Sequence, residues 1–133
     1  MNYSKILMTI SALVLALLGL PCIFIPDLVL VRLAGTATPA AGLLVQVTGA
    51  LYLGFAAINW MGKNSLIGGI YGRPVAIGNL MHFLVAALAL LKAAPSQADP
   101  LAWPVAVLYG LLAAAFGFIV FRNPVRSSDS RIA

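Results

Sequence analysis

The only histidine of the chain, His82, follows Asn79 by three residues, a spacing that puts both on one helical face. Both sit in an apolar stretch. Asn59 lies near the end of an earlier one, which also holds Gln46 and Thr48. Tyr71 and Arg73 come just before the stretch that carries Asn79 and His82. Side chains of these types can do three things. Asn79, His82, Gln46 and Thr48 can hydrogen-bond across helices and hold them together. Asn59, Asn79 and His82, with Tyr71 and Arg73 at the entrance, can line a small pocket for a lipid, quinone or other amphiphile, because ligand sites are apolar concavities with a few convergent polar groups. Finally, Gly78-Asn79-Leu80-Met81-His82 has the form G-x-x-x-H. There a neutral imidazole could ligate the metal of a tetrapyrrole, with the glycine leaving room for the macrocycle. A single histidine would then need a five-coordinate metal or a second chain. Bonding across helices is the simplest of the three readings, and all three stay open.

Other chemistries cannot be assembled from these residues. Metal sites need several His, Cys or carboxylate ligands together, and no such cluster is present. A nucleophile, base and orienting group cannot be brought together either, because no carboxylate lies in the apolar stretches beside His82. No Asp, Glu, Lys or Arg falls well inside an apolar stretch, whereas ion-coupled pumps usually carry one. Nothing argues for an enzyme, and no cofactor is expected beyond the tetrapyrrole or quinone alternatives. The single cysteine, Cys22, excludes an internal disulfide and reads as a buried thiol.

The elements that would position these residues follow from composition. Hydrophobic residues make up 62% of the 133 and charged ones 8%, against about 25% charged in soluble domains. A water-soluble chain of this size could not hide so much apolar surface. A bilayer core of roughly 30 Å needs about 20 apolar residues per helix, and four stretches satisfy it: about 6–25, 41–61, 74–94 and 101–121. The sequence predicts an all-α integral membrane protein, a four-transmembrane-helix bundle over residues 1–125, with a short polar tail at 126–133. No small-x-small cleavage site follows the first stretch, so it reads as a retained helix. The apolar segment 28–33 is too short to span and reads as an interfacial turn or helix. The glycine-rich GKNSLIGGIYGR at 62–73 reads as a loop.

Basic residues set the orientation. Lys5, Lys63, Arg73, Arg122, Arg126 and Arg131 fall on one side, and only Arg32 and Lys92 on the other, beside Asp27 and Asp99. An up-down bundle with both termini cytoplasmic follows. The net charge of +5 is thereby explained by topology, and no nucleic-acid partner is expected. In lipid, close contact between small residues replaces the hydrophobic drive for helix association. Ala106, Gly110 and Ala114, and likewise Ala50 and Gly54, recur at four-residue spacing, and Gly42 and Gly49 lie a heptad apart. These stripes serve either contacts within one chain or a homo-oligomer seam.

The stretch from Asn59 to Phe83, NWMGKNSLIGGIYGRPVAIGNLMHF, has Asn-Trp at the end of the second span and Gly-Gly-Ile-Tyr-Gly-Arg-Pro leading into the third. With the helix count, it resembles small bacterial four-helix membrane proteins of unknown function, loosely the DoxX-like proteins. The resemblance implies the bacterial inner membrane and, by analogy, an accessory role beside a redox enzyme. It implies no catalytic residues. The resulting expectation is a structural or accessory subunit, oligomeric or bound to a larger membrane complex. The alternatives are an amphiphile-binding or transport protein, or an oligomeric channel with Gln46, Thr48 and Asn59 around its axis.

Overall fold

The computed structural model describes residues 3–64, 72–96 and 99–122. Among them every regular element is helical: α1 Tyr3–Phe24, α2 Pro26–Ala34, α3 Pro39–Gly62, α4 Gly72–Ala93 and α5 Ala102–Arg122, with a 3-10 turn at Ala94–Ser96. Four of the helices, all but α2, are long and apolar enough to cross a membrane. They overlap the four predicted stretches, with ends displaced by one to three residues. α4 starts at Gly72 rather than Pro74, because a proline in the first turn removes an N–H that has no intrahelical partner anyway. The glycine-rich segment 65–71, with Tyr71, lies outside the described residues, as does the predicted tail.

Local chemistry explains the boundaries. Pro21 lacks an N–H but sits close enough to the end of α1 for the helix to run on to Phe24. The interfacial segment is the short helix α2. It opens with Pro26 and ends at Gly35, which adopts φ 74° while its N–H bonds to the Val31 carbonyl at 2.9 Å. That left-handed closing position favours glycine. α2 buries no residue and exposes Leu28, Val31 and Leu33, as a helix lying in the headgroup region should. Thr38 caps α3 by accepting from the Ala41 N–H at 3.3 Å, and Pro39 fills the first helical position.

The helices associate as two close pairs, α1 with α3 and α4 with α5. In the first pair backbone meets backbone. A Cβ on Gly49 would lie 2.8 Å from the Cys22 Cβ and 2.9 Å from the Gly19 carbonyl oxygen, and one on Gly19 would lie 3.0 Å from the Gly49 oxygen. Met8 packs against Gly62 and Ser11 against Asn59, so the two helices run in opposite directions. In the second pair the buried small residues are Ala76, Ala87, Ala106 and Ala113. Between the pairs, α1–α5 and α3–α4 approach mainly through large side chains. Met8, Leu15, Phe83, Tyr109 and Phe116 fill that layer and are all almost fully buried.

The small-residue stripes divide accordingly. Gly42, Gly49 and Ala56 are buried at heptad spacing, and so is Ala106. Ala50, Gly54 and Ala114 face outward, and a Cβ on Gly54 or Gly110 would meet nothing within 4 Å. Of the two readings of these stripes, contact within one chain is made by Gly42, Gly49 and Ala106, whereas Ala50, Gly54 and Ala114 are exposed and Gly110 is half-buried. Ala50 and Ala114 each lie one residue, or about 100° of helix rotation, from a buried small residue, Gly49 and Ala113.

Candidate functional site

The polar side chains of the spanning helices separate into two groups with opposite hydrogen-bonding states. The first joins α1, α3 and α4. The Asn59 and Asn79 amides face each other and exchange reciprocal bonds, Asn59 Nδ2 to Asn79 Oδ1 at 2.7 Å and Asn79 Nδ2 to Asn59 Oδ1 at 2.6 Å. The second Asn59 N–H reaches Ser11 Oγ at 3.0 Å, and the second Asn79 N–H reaches the Val75 carbonyl at 2.8 Å. Ser11 in turn donates to the Met8 carbonyl at 3.0 Å. All three side chains have 0% exposure. Every amide donor is occupied, so the knot has no donor left to offer a ligand.

This redistributes the predicted residues. Asn59 and Asn79 bond to each other across α3 and α4 instead of pointing into a pocket with His82. Asn59 is also sealed inside one chain, which removes it from any channel axis between copies. Gln46 and Thr48 are exposed, and the Thr48 hydroxyl bonds back to the Leu44 carbonyl of its own helix, so neither bridges helices within the chain. Arg73 is half-buried at the start of α4. Tyr71 lies outside the described residues. Ser11 was not anticipated. Its signal was its position one turn from both Leu7 and Leu15 on the buried face of α1.

The second group surrounds His82 near the middle of α4. Four rings enclose the imidazole: Phe55 stacked at 5.1 Å between centroids, Tyr52 edge-on at 5.5 Å, Phe83 edge-on at 5.1 Å and Tyr109 tilted at 5.9 Å. Phe83 continues the cluster to Tyr109 and Phe116. Such ring pairs add about 0.5–1.5 kcal/mol each beyond area burial. Two polar atoms in this shell are sealed and have no partner: His82 Nε2 and the Tyr109 hydroxyl. The Tyr52 hydroxyl is close enough to interact with the Tyr109 hydroxyl, although the pair does not meet strict hydrogen-bond geometry. The His82 ring itself is only half-buried, so the shell reaches the outer surface of the bundle.

The ring arrangement also bears on the tetrapyrrole reading. A Cβ on Gly78 would lie 3.7 Å from Phe55 Cε1. The Phe55 ring therefore lies beside the glycine at ordinary van der Waals distance. No group of three or more metal-ligating side chains occurs among the described residues.

Comparison with family models, curated proteins and solved structures gives no match to this chain. Its function rests on the geometry alone.

At one end of the molecule, outside the spans, Arg32 of α2 meets Asp99 of the segment before α5. Arg32 Nε donates to Asp99 Oδ2 at 2.6 Å, and the other carboxylate oxygen accepts from the Leu101 N–H at 2.9 Å. The Arg32 bond, helped by the Leu101 N–H, holds the Asp99 carboxyl below its ordinary pKa, and the same pairing raises that of Arg32. These were the residues expected together on the less basic side, and the ion pair ties α2 to the loop between α4 and α5.

Proposed function

We propose that this chain is a non-enzymatic, multi-pass membrane protein that binds a small amphiphile beside α3, α4 and α5. The ligand's polar head is held by His82 Nε2 and the Tyr109 hydroxyl, and its apolar body lies against Tyr52 and Phe55. One observation carries this reading: both atoms are buried without a partner. Leaving a polar group unsatisfied in hydrocarbon costs several kcal/mol, and among the described residues the buried Asn59 and Asn79 amides have every donor satisfied. A lipid or quinone carbonyl or hydroxyl supplies the missing partner, entering sideways from the bilayer past the half-buried face of His82. In this reading the bundle is up-down in the bacterial inner membrane with both termini cytoplasmic, as the basic residues and the resemblance to DoxX-like proteins suggest.

Native mass spectrometry of protein extracted in mild detergent tests it. A co-purifying amphiphile should be present in the wild type and be lost in both His82→Phe and Tyr109→Phe. Unchanged small-molecule content in both variants removes the reading. A second reading, a structural or accessory subunit in a homo-oligomer or larger complex, is favoured by the outward position of Ala50, Gly54, Gly110 and Ala114. Among the described residues Ala50, Gly54 and Ala114 are exposed, and a Cβ on Gly54 or Gly110 meets no neighbouring helix within 4 Å. Cross-linking through cysteines placed at Gly54 and Ala114 in membranes would capture the neighbour.

A further inference from the structure

The first residues of α1 and the last turns of α5 stand apart around a cleft of about 790 Å³. Its walls are apolar: Ile6, Leu7 and Ile10 from α1, and Ala115, Phe118 and Ile119 from α5. Its mouth is polar, with Ser4 on one side and Arg122 on the other. That volume falls within the range of ligand sites, about 300–1,000 Å³. The cleft is separate from the ring cluster around His82.

Charge decides what fits. The mouth lies at the end of the bundle where, among the described residues, the basic side chains of four helix termini collect: Lys5 on α1, Lys63 after α3, Arg73 on α4 and Arg122 on α5. The described acids, Asp27 and Asp99, both belong to the segments that join helices at the opposite end. Arg122 has no carboxylate partner among the described residues and rests over the Phe118 ring at 5.1 Å. A second copy of the chain, docked symmetrically in the same membrane orientation, would bring the same cationic end against itself. An anionic phospholipid complements both parts of the site, because its phosphate suits a guanidinium and its acyl chain suits the walls.

We propose that this cleft is a binding site for one anionic phospholipid, with the phosphate on Arg122 and Ser4 and an acyl chain along Ile6, Ile10 and Phe118. A bulk attraction to anionic headgroups would act through every basic residue at that end. A built site acts through Arg122 and the apolar walls together.

The test uses the full-length protein in nanodiscs of phosphatidylcholine containing a minor fraction of phosphatidylglycerol, with retained lipid counted by native mass spectrometry after transfer to detergent. One phosphatidylglycerol per chain should be retained in preference to phosphatidylcholine. Arg122→Gln should lower its retention about tenfold or more, the loss expected for one direct charge-assisted hydrogen bond to the phosphate. Lys5→Gln, at the same end but outside the cleft wall, should leave it near wild type. Ile6→Trp fills the cleft from an exposed position without changing charge and should displace the lipid, and Ala115→Leu does so from the other wall. Thermal melts show that each variant is folded. Equal retention of the two lipids, equal losses in Arg122→Gln and Lys5→Gln, or wild-type retention in both wall variants would each overturn the proposal.

Discussion

The Asn59–Asn79 pair makes a quantitative claim about what holds the two helix pairs together. Asn59→Ala removes three bonds between helices, two to Asn79 and one to Ser11, while Asn79 keeps its bond to the Val75 carbonyl and Ser11 keeps its bond to Met8. Asn79→Ala removes two bonds between helices, the reciprocal pair, together with the Asn79 bond to the Val75 carbonyl of its own helix. At about 0.6 kcal/mol per bond between membrane helices, and at most about 1.7, the bond losses are about 1.8 kcal/mol for the first change and about 1.2 for the second. The double variant loses the reciprocal bonds only once. The coupling energy of the cycle should therefore be about 1.2 kcal/mol, with an upper limit of about 3.4. Reversible unfolding in mixed micelles, followed by circular dichroism as the denaturing detergent fraction rises, measures all four proteins. Asn59→Leu with Asn79→Leu adds a control, since replacing both members by apolar groups of similar size can be nearly neutral. Strictly additive single changes, with coupling below about 0.3 kcal/mol, would refute the claim that the amides act as a reciprocal pair.

Three further outcomes follow from the same geometry. Tyr109→Phe tests the unpaired hydroxyl thermodynamically: measured by thermal melts in lipid-free detergent, it should stabilise the protein by about 1–3 kcal/mol, the cost of a buried unsatisfied group, and adding back native lipid extract should narrow the gap, because only the wild type can use the ligand. Gly49→Ala should destabilise strongly in the same melts, since its Cβ would stand 2.8 Å from Cys22 and Ile23 and 2.9 Å from the Gly19 carbonyl, whereas Gly110→Ala, with nothing within 4 Å, should melt at or slightly above wild type. The Arg32–Asp99 pair gives a pH dependence: the folded-state pKa of Asp99 is depressed, so its contribution is present above the ordinary carboxylate value and fades as pH falls through about 4 and below, and melts of wild type and Asp99→Asn should converge in that window and separate near neutral pH.

The four long helices could be read from the sequence because length and apolarity are what a bilayer demands, and both are visible residue by residue. The rotation of each helix could not. In a water-soluble helix the polar residues mark the outer face. Here Leu17, Leu44, Leu88 and Leu111 on the outside are as apolar as Leu15, Phe83 and Phe116 inside, because lipid and protein interior make the same demand. Spacing thus found the Ala50–Gly54 and Ala106–Gly110–Ala114 stripes but could not choose between them and the neighbouring stripes that pack. For the same reason it placed Asn59 and Asn79 near one end of adjacent helices without showing that their amides meet. Ser11 went unseen because its place one turn from Leu7 and Leu15 marks a face only once the buried side of α1 is known. Tyr52 and Tyr109, the phenols beside His82, were hidden among the aromatic residues of the spans.

The two polar groups differ in a way that assigns them different work. A buried amide has two donors and an acceptor, and the Asn59–Asn79–Ser11 knot occupies all the donors with groups already held on three helices. Inserting a ligand there would exchange bonds at no gain, so the knot serves to fix how α1, α3 and α4 lie against one another. Around His82 the balance is reversed. Rings from α3, α4 and α5 hold the imidazole and the Tyr109 hydroxyl in place, but none of them makes a well-formed hydrogen bond to His82 Nε2 or to the Tyr109 hydroxyl, which has only the Tyr52 hydroxyl nearby. The rigidity needed to present two polar atoms is therefore supplied by neighbours that do not compete for them. On the proposed reading, such an arrangement costs stability when empty and recovers it when a polar head arrives, whereas the amide knot would gain nothing from a ligand.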